Sequence, residues 1–133
     1  MKNGYTFSLP LPPSINRTYK TTRTGGFYMA NKSKLYKEST VPSELLALKI
    51  KPLEGPVEVW LTFFFPTKAG DADGRTKILF DAMQRYAYEN DKQIARYHVE
   101  KAKDAANPRV DVTICETQTT GLAAHPLVHV VGR

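Results

Sequence analysis

Residues 57–65 read VEVWLTFFF; after Pro66 come a loop, TKAGDAD at 67–73, and then KILFDAMQRY at 77–86. In the first stretch Val57, Val59, Leu61, Phe63 and Phe65 alternate onto one face, while Trp60 and Phe64 fall on the other. Apolar residues on both faces predict a central strand covered on both sides, and Pro66 ends it. Beyond the loop the apolar period changes from two to that of a helix. Ile78, Leu79, Ala82, Met83 and Tyr86 share one face, and Lys77, Asp81, Gln84 and Tyr88 the opposite one. Asp73 can cap this helix, which is predicted to end near Glu89-Asn90. A buried strand feeding an amphipathic helix indicates an α/β chain with α+β character in one domain.

Working outward, residues 4–9 (GYTFSL) alternate as a strand. Residues 10–30, rich in Pro, Thr, Gly and Arg, form a long loop, with a turn at Gly25-Gly26 and a short strand at Phe27 to Met29. A loop of this length in a compact domain is commonly functional. Residues 31–51 read as a helix capped by Asn31, with Leu35, Leu45, Leu46 and Leu48 as apolar positions and Pro42 as a break or kink. Residues 93–101 and 109–116 are expected as a closing hairpin around Asp104 to Pro108. The domain then spans residues 1–116, and residues 117–133 form a weakly patterned tail, which is either mobile or adds an edge strand at Leu127 to Val131.

The 133 residues suffice for one domain and a sizeable core without staples. The single cysteine, Cys115, excludes an internal disulfide framework and a zinc ribbon, and is expected as a buried small hydrophobe. A reduced, cytoplasmic setting fits. No secretory signal is visible at the start, and residues 57–65 are too few to span a bilayer as a helix, so no membrane partner is expected.

Charge is unevenly placed within a net of +6. No acidic residue precedes Glu38, whereas Lys2, Arg17, Lys20, Arg23, Lys32, Lys34 and Lys37 all do. Four of the six aspartates, Asp71, Asp73, Asp81 and Asp91, lie together further on. A basic arm beside an acidic cluster suits a protein that grips a polyanion and holds a metal on it; a merely solubilising basic surface is the alternative.

Asp71-Ala72-Asp73 lies where the buried strand meets the helix, and a turn there can converge two carboxylates. Hard cations such as Mg2+ take oxygen ligands and keep several waters, so two or three carboxylates suffice. Lys77, one turn after Asp73, can reach the same site and stabilise charge on a scissile phosphate. The competing reading makes Asp73 an N-cap only. Asp91 is either a third ligand or a turn-former. A helix of ~15 residues is ~23 Å long, so Asp91 meets Asp71 only if the flanking loops return to one edge or a partner subunit completes the site.

These residues fall into a pattern. P-P-S-I-N-R-T-Y at 12–19, D-A-D-G-R-T-K at 71–77 with F-D-A-M at 80–83, and N-D-K-Q-I at 90–94 occur in this order. Together they resemble the N-terminal signature, the central D-x-D-N-x-x-K motif and the D-D-x-Q-V/I motif of the RusA family of Holliday junction resolvases. The resemblance runs from about residue 4 to residue 116. It implies a small homodimeric, Mg2+-dependent endonuclease (Mn2+ substituting) that cuts four-way DNA junctions by paired nicks in recombination and repair. It also implies a mixed β-sheet with helices packed against it, and a bacterial or phage source. By position, Asp71, Asp73 and Asp91 are then the essential carboxylates and Lys77 the catalytic lysine. Two positions depart from the pattern: Gly74 replaces the usual Asn, and Asn90 replaces the first Asp of the D-D pair.

For DNA, Arg17, Lys20 and Arg23 can pair phosphates, and Asn16 can hydrogen-bond them. Tyr19, Phe27 and Tyr28 can stack on opened bases, core packing being the alternative, favoured for Phe27. Lys68 and Arg75 flank the carboxylates and can steer phosphate inward. His98 is expected to be packed or at the surface, and Asp81 to pair with Lys77 or Arg85. Pro126 between His125 and His129 spoils a helical metal pair. The expected activity is a junction-resolving, metal-dependent endodeoxyribonuclease. The alternatives are a non-catalytic, structure-selective DNA-binding protein on the same fold, and a nuclease of flaps or forks.

Overall fold

The computed structural model describes residues 3–13, 32–68 and 70–117. Four strands form one mixed sheet: β1 (Gly4–Leu9), β2 (Val57–Phe65), β3 (Ile94–Lys103) and β4 (Arg109–Glu116). Their spatial order is β1-β4-β2-β3. β2 runs parallel to β3 and antiparallel to β4, and β4 runs antiparallel to β1. Helices α1 (Val41–Ala47) and α2 (Asp73–Met83) complete a small α+β domain. Among the described residues no helix is long and apolar enough to cross a membrane.

β2 is an interior strand, as its sequence predicts. Val57, Val59, Leu61, Phe63 and Phe65 are buried on the face shared with Phe7, Leu9, Val110, Val112 and Ile114. Leu45, Ile78, Leu79, Ala82 and Met83 close the core over that face. The other face is less covered than expected: Trp60, Thr62 and Phe64 are only half-buried.

The strands predicted at 93–101 and 109–116 exist, but they are not a hairpin. β2 lies between them, and the Asp104 amide donates to the Phe65 carbonyl (2.8 Å), so the turn at 104–108 passes the end of β2. Local turn signals show where a chain reverses; they do not show which strand accepts the returning edge. Arg109 holds this turn, donating to Asp104 (2.9 Å) and Asp111 (3.0 Å) while lying over the Phe64 ring.

The helix predicted over 31–51 accommodates Pro42 instead of breaking. Residues 32–35 are α-helical, Tyr36–Thr40 widen into a π segment, and Val41–Ala47 resume the α form with proline in the first turn. The Val41 amide donates to the Tyr36 carbonyl, five residues back. Proline's missing N–H and ring bulk are tolerated where the ladder is already interrupted. The widened turn shifts the helical phase, so Tyr36, Val41, Pro42 and Leu45 face inward, while Leu35, Leu46 and Leu48 are exposed. Cys115 is half-buried, not fully buried.

The second helix ends at Met83, well before Glu89. Gln84 is extended and Arg85 adopts a left-handed φ of 75°, so the chain turns back along the helix. Tyr88, expected on the solvent face, is fully buried, and its hydroxyl donates to the Phe80 carbonyl (2.7 Å). The tail beyond residue 117, the Asn31 cap and the strand expected at Phe27 to Met29 lie outside the described residues.

Candidate active site

The loop between β2 and α2 is built around Asp71. Its Oδ1 accepts the Asp73 amide (3.2 Å), the turn to which a short carboxylate lends itself. Asp73 is therefore not the cap expected of it. Ala72 holds the cap position without a side-chain bond, and Asp73 begins the helix with its carboxylate exposed. Gly70 lies flat against the Phe65 ring, where any Cβ would collide, so the loop runs close over the end of β2.

Arg75, read as a phosphate-steering residue, has its guanidinium engaged in the fold. It donates to the carbonyls of Asp71 (3.0 Å) and Pro12, and it lies 5.1 Å from the Phe65 ring centre. It thus ties the start of the P-P-S-I-N-R segment to the Asp71 turn. Lys68 is exposed on the same loop.

An open cleft of about 410 Å3 lies between α2 and the edge strand β3. Asp73, Thr76, Lys77 and Phe80 line it from the helix, at spacings that stack residues along one side. Tyr97 and Val99 line it from β3, and Asp91 from the short helical turn Asp91–Gln93. The early end of α2 lets Asp91 reach this cleft within one chain. Buried Tyr88 anchors the returning segment, and the Gln84 Oε1 accepts the Asp91 amide (2.9 Å). Burial, with Asp91 and Asp81 nearby, pushes the Tyr88 phenol well above its ordinary range, so it stays protonated.

The structure brings Asp73, Lys77 and Asp91 to one cleft; Asp71 shapes the loop beside it and is not in the lining. The chemistry of the set fits a hard cation, since the acidic groups offer oxygen donors and the cleft is open. Among the described residues no three potential ligands converge on one point. Mg2+ commonly rests on one or two carboxylates, with water and substrate phosphate completing its shell, and this cleft offers that number. Asp81 lies 4.0 Å from Lys37, not paired with Lys77 or Arg85 as expected.

A family model described as Endodeoxyribonuclease RusA matches residues 10–115. The chain belongs to the RusA endodeoxyribonuclease family. It is 28% identical over 116 residues to the crossover junction endodeoxyribonuclease RusA of Escherichia coli K12, covering 86% of this chain and 96% of that protein. The same identity and coverage relate it to the enzyme of that name from Enterobacteria phage 82. The protein of that name from Escherichia coli O139:H28 is 27% identical over the same span.

Within this RusA-family framework, the Asn90 departure has a structural account. Asn90 Oδ1 accepts the Lys92 amide (2.8 Å), and the Gln93 side chain accepts the Asn90 amide (2.9 Å), forming a capping box. Asn caps a helix as well as Asp does, so the turn carrying Asp91 keeps its shape. Gly74 is buried in the first turn of α2.

Sequence reasoning passed over four contributors. Gln84 and Gln93 fix the Asp91 turn, and Gln93 also donates to the carbonyls of Leu53 (3.0 Å) and Gly55 (2.8 Å). Thr76 and Tyr97 line the cleft. The only signal for them was the glutamine inside N-D-K-Q-I. His98, expected to be packed or at the surface, bonds Glu58 (2.7 Å) and stacks on Trp60, away from the cleft. Asn16, Arg17, Tyr19, Lys20, Arg23, Phe27, Tyr28, His125 and His129 lie outside the described residues.

Proposed function

We propose that this RusA-family chain is an endodeoxyribonuclease that resolves four-way DNA junctions as a homodimer, using Mg2+ with Mn2+ as substitute. The observation that supports this best is the meeting of Asp73, Lys77 and Asp91 in one open cleft, within a chain whose family is that of the crossover junction endodeoxyribonucleases. Asp73 and Asp91, with Asp71 beside them, would hold the cation. When bound, it supplies an activated water and charge neutralisation at the phosphate.

The Lys77 ammonium faces the same space and stabilises the charge that develops on the phosphoryl oxygens. Asn16, Arg17, Tyr19, Lys20 and Arg23 bind the DNA arms, with Lys68 and Arg75 near the site. Residues 1–116 form the catalytic domain and 117–133 a separate tail. Among the described residues Asp73, Lys77 and Asp91 meet in a single cleft, so two opposed nicks would require two chains. A cytoplasmic site of action follows from the DNA substrate.

The test uses a labelled synthetic four-way junction, with wild type and Asp73→Asn, in Mg2+ and in chelator. Paired symmetric nicks by wild type, absent from the variant and from chelator while binding persists, are expected. Binding without nicks in Mg2+ or Mn2+ would instead make the chain a structure-selective DNA-binding protein. Preferential cutting of flaps or forks in competition would reassign the substrate.

A further inference from the structure

The cleft lining is of two kinds: Asp73, Thr76, Lys77 and Asp91 are polar, while Phe80 further along α2 and Tyr97 and Val99 on β3 make an apolar end. Tyr97 sits on the helix-facing side of β3, opposite buried Val59, yet it is 55% exposed. On that side the β2 neighbours Val59 and Leu61 are buried, whereas Tyr97 and Val99, both on the edge strand β3, are exposed to the cleft. The Phe80 ring meets it nearly at right angles, 5.0 Å between centres, and so braces the phenol from one side. An exposed, braced aromatic ring beside Lys77 and two carboxylates has the make-up of a base-stacking platform.

We propose that Tyr97 stacks on an unstacked nucleobase next to the scissile phosphate, and so determines which nucleotide enters the cleft. This rests on the nuclease reading above. Inside a duplex both faces of a base are covered by its neighbours, whereas at a crossover a base can be displaced. A platform adjoining Lys77 and Asp91 thus favours opened DNA over paired DNA without reading any base edge. Val99, next along the same face, extends the apolar end beneath the sugar or base. The occupant is a nucleotide and not a second protein chain, because the apolar end is continuous with the two carboxylates and the lysine.

The test compares wild type, Tyr97→Phe and Tyr97→Leu on four-way junctions carrying 2-aminopurine at single positions around the crossover. Leucine keeps apolar bulk on β3 but cannot stack. Fluorescence is read in chelator, so it does not depend on cutting; cleavage is then read in Mg2+. Wild type and Tyr97→Phe should dim the probe at a position next to the nick. Tyr97→Leu should leave it bright, raise KM between about fivefold and a hundredfold, and spread the nick positions, with kcat nearly kept. If Tyr97→Leu matches wild type in fluorescence, KM and nick positions, the proposal is overturned while the nuclease reading stands. Tyr97-dependent dimming with no cutting by wild type would keep the platform and remove the nuclease reading. If wild type elutes as a dimer and Tyr97→Leu as a monomer, the residue is an interface contact and the proposal fails.

Discussion

Lys77 stands one helical turn beyond Asp73, and both face the cleft that Asp91 closes from the returning chain. On the proposed nuclease reading, its compact ammonium would act where negative charge builds up, and so would matter more in the transition state than in the bound complex. Lys77→Ala is expected to slow junction cleavage by about a hundredfold or more, with junction affinity within a few-fold; single-turnover rates beside gel-shift titrations check this. Glu58 contributes in a different way. Its buried carboxylate bonds His98 (2.7 Å) and Arg96 (3.3 Å), on the face of the sheet turned away from the cleft. Truncating a buried carboxylate strands its partners, but Arg96 and His98 keep part of their surface in water. Glu58→Ala should therefore cost about 2–3 kcal/mol, less than the ~3–5 of a fully buried pair. Urea unfolding should show a lower midpoint at unchanged slope.

Among the elements, the short turn Asp91–Gln93 decides where Asp91 stands. Gln93 uses both ends of its amide: Oε1 accepts the Glu89 (2.8 Å) and Asn90 amides, and Nε2 reaches two carbonyls in the strand-leading loop before β2. Gln93→Ala should lower stability by about 1–2 kcal/mol. It should also reduce cleavage more than tenfold while binding persists, because Asp91 loses its mooring. Gln93→Glu, which keeps the accepting oxygens, should recover part of the rate. The buried tyrosines give the elements a pH limit. Burial pushes Tyr36 and Tyr88 above the ordinary tyrosine value of 10.0. Unfolding lets them release protons that the folded chain retains, so stability is full below pH 10.0 and falls as pH rises above it. Alkaline unfolding should set in there, and Tyr36→Phe should flatten the decline, measured by circular dichroism from pH 8 to 12. The sequence shows β1, β2 and β4 directly, because their alternation is a local property of neighbouring side chains. It does not show the end of α2, since Gln84 to Tyr88 continue a helical pattern and Arg85, unlike glycine, gives no sign of a left-handed turn.

At the scale of the whole molecule, strand order and charge distribution matter most. The placement of β2 between β3 and β4 was not legible in the sequence, because two strands flanking a common neighbour and two strands in a hairpin share the same alternation and the same turn residues. That placement leaves β3 at the sheet's edge, where Tyr97 and Val99 border the cleft. Asp73, Lys77 and Asp91 were legible as candidates because each lies in a short motif; their meeting in one cleft depends on the buried fold-back through Tyr88. Charge is asymmetric in the same sense, with every residue of the first acid-free stretch, up to Lys37, either basic or uncharged. If Arg17, Lys20 and Arg23 pair backbone phosphates, their contribution is counterion release and carries no base information. Replacing all three with alanine should weaken binding to every branched DNA alike. The slope of log affinity against log salt should become shallower by about three, close to one per phosphate contact. Thermal unfolding should hardly change. Filter-binding titrations between low and moderate salt check this: an unchanged slope with weaker binding would mean that the arm contacts DNA through groups other than these cations, and an unchanged affinity would move the DNA-binding surface to the walls of the cleft.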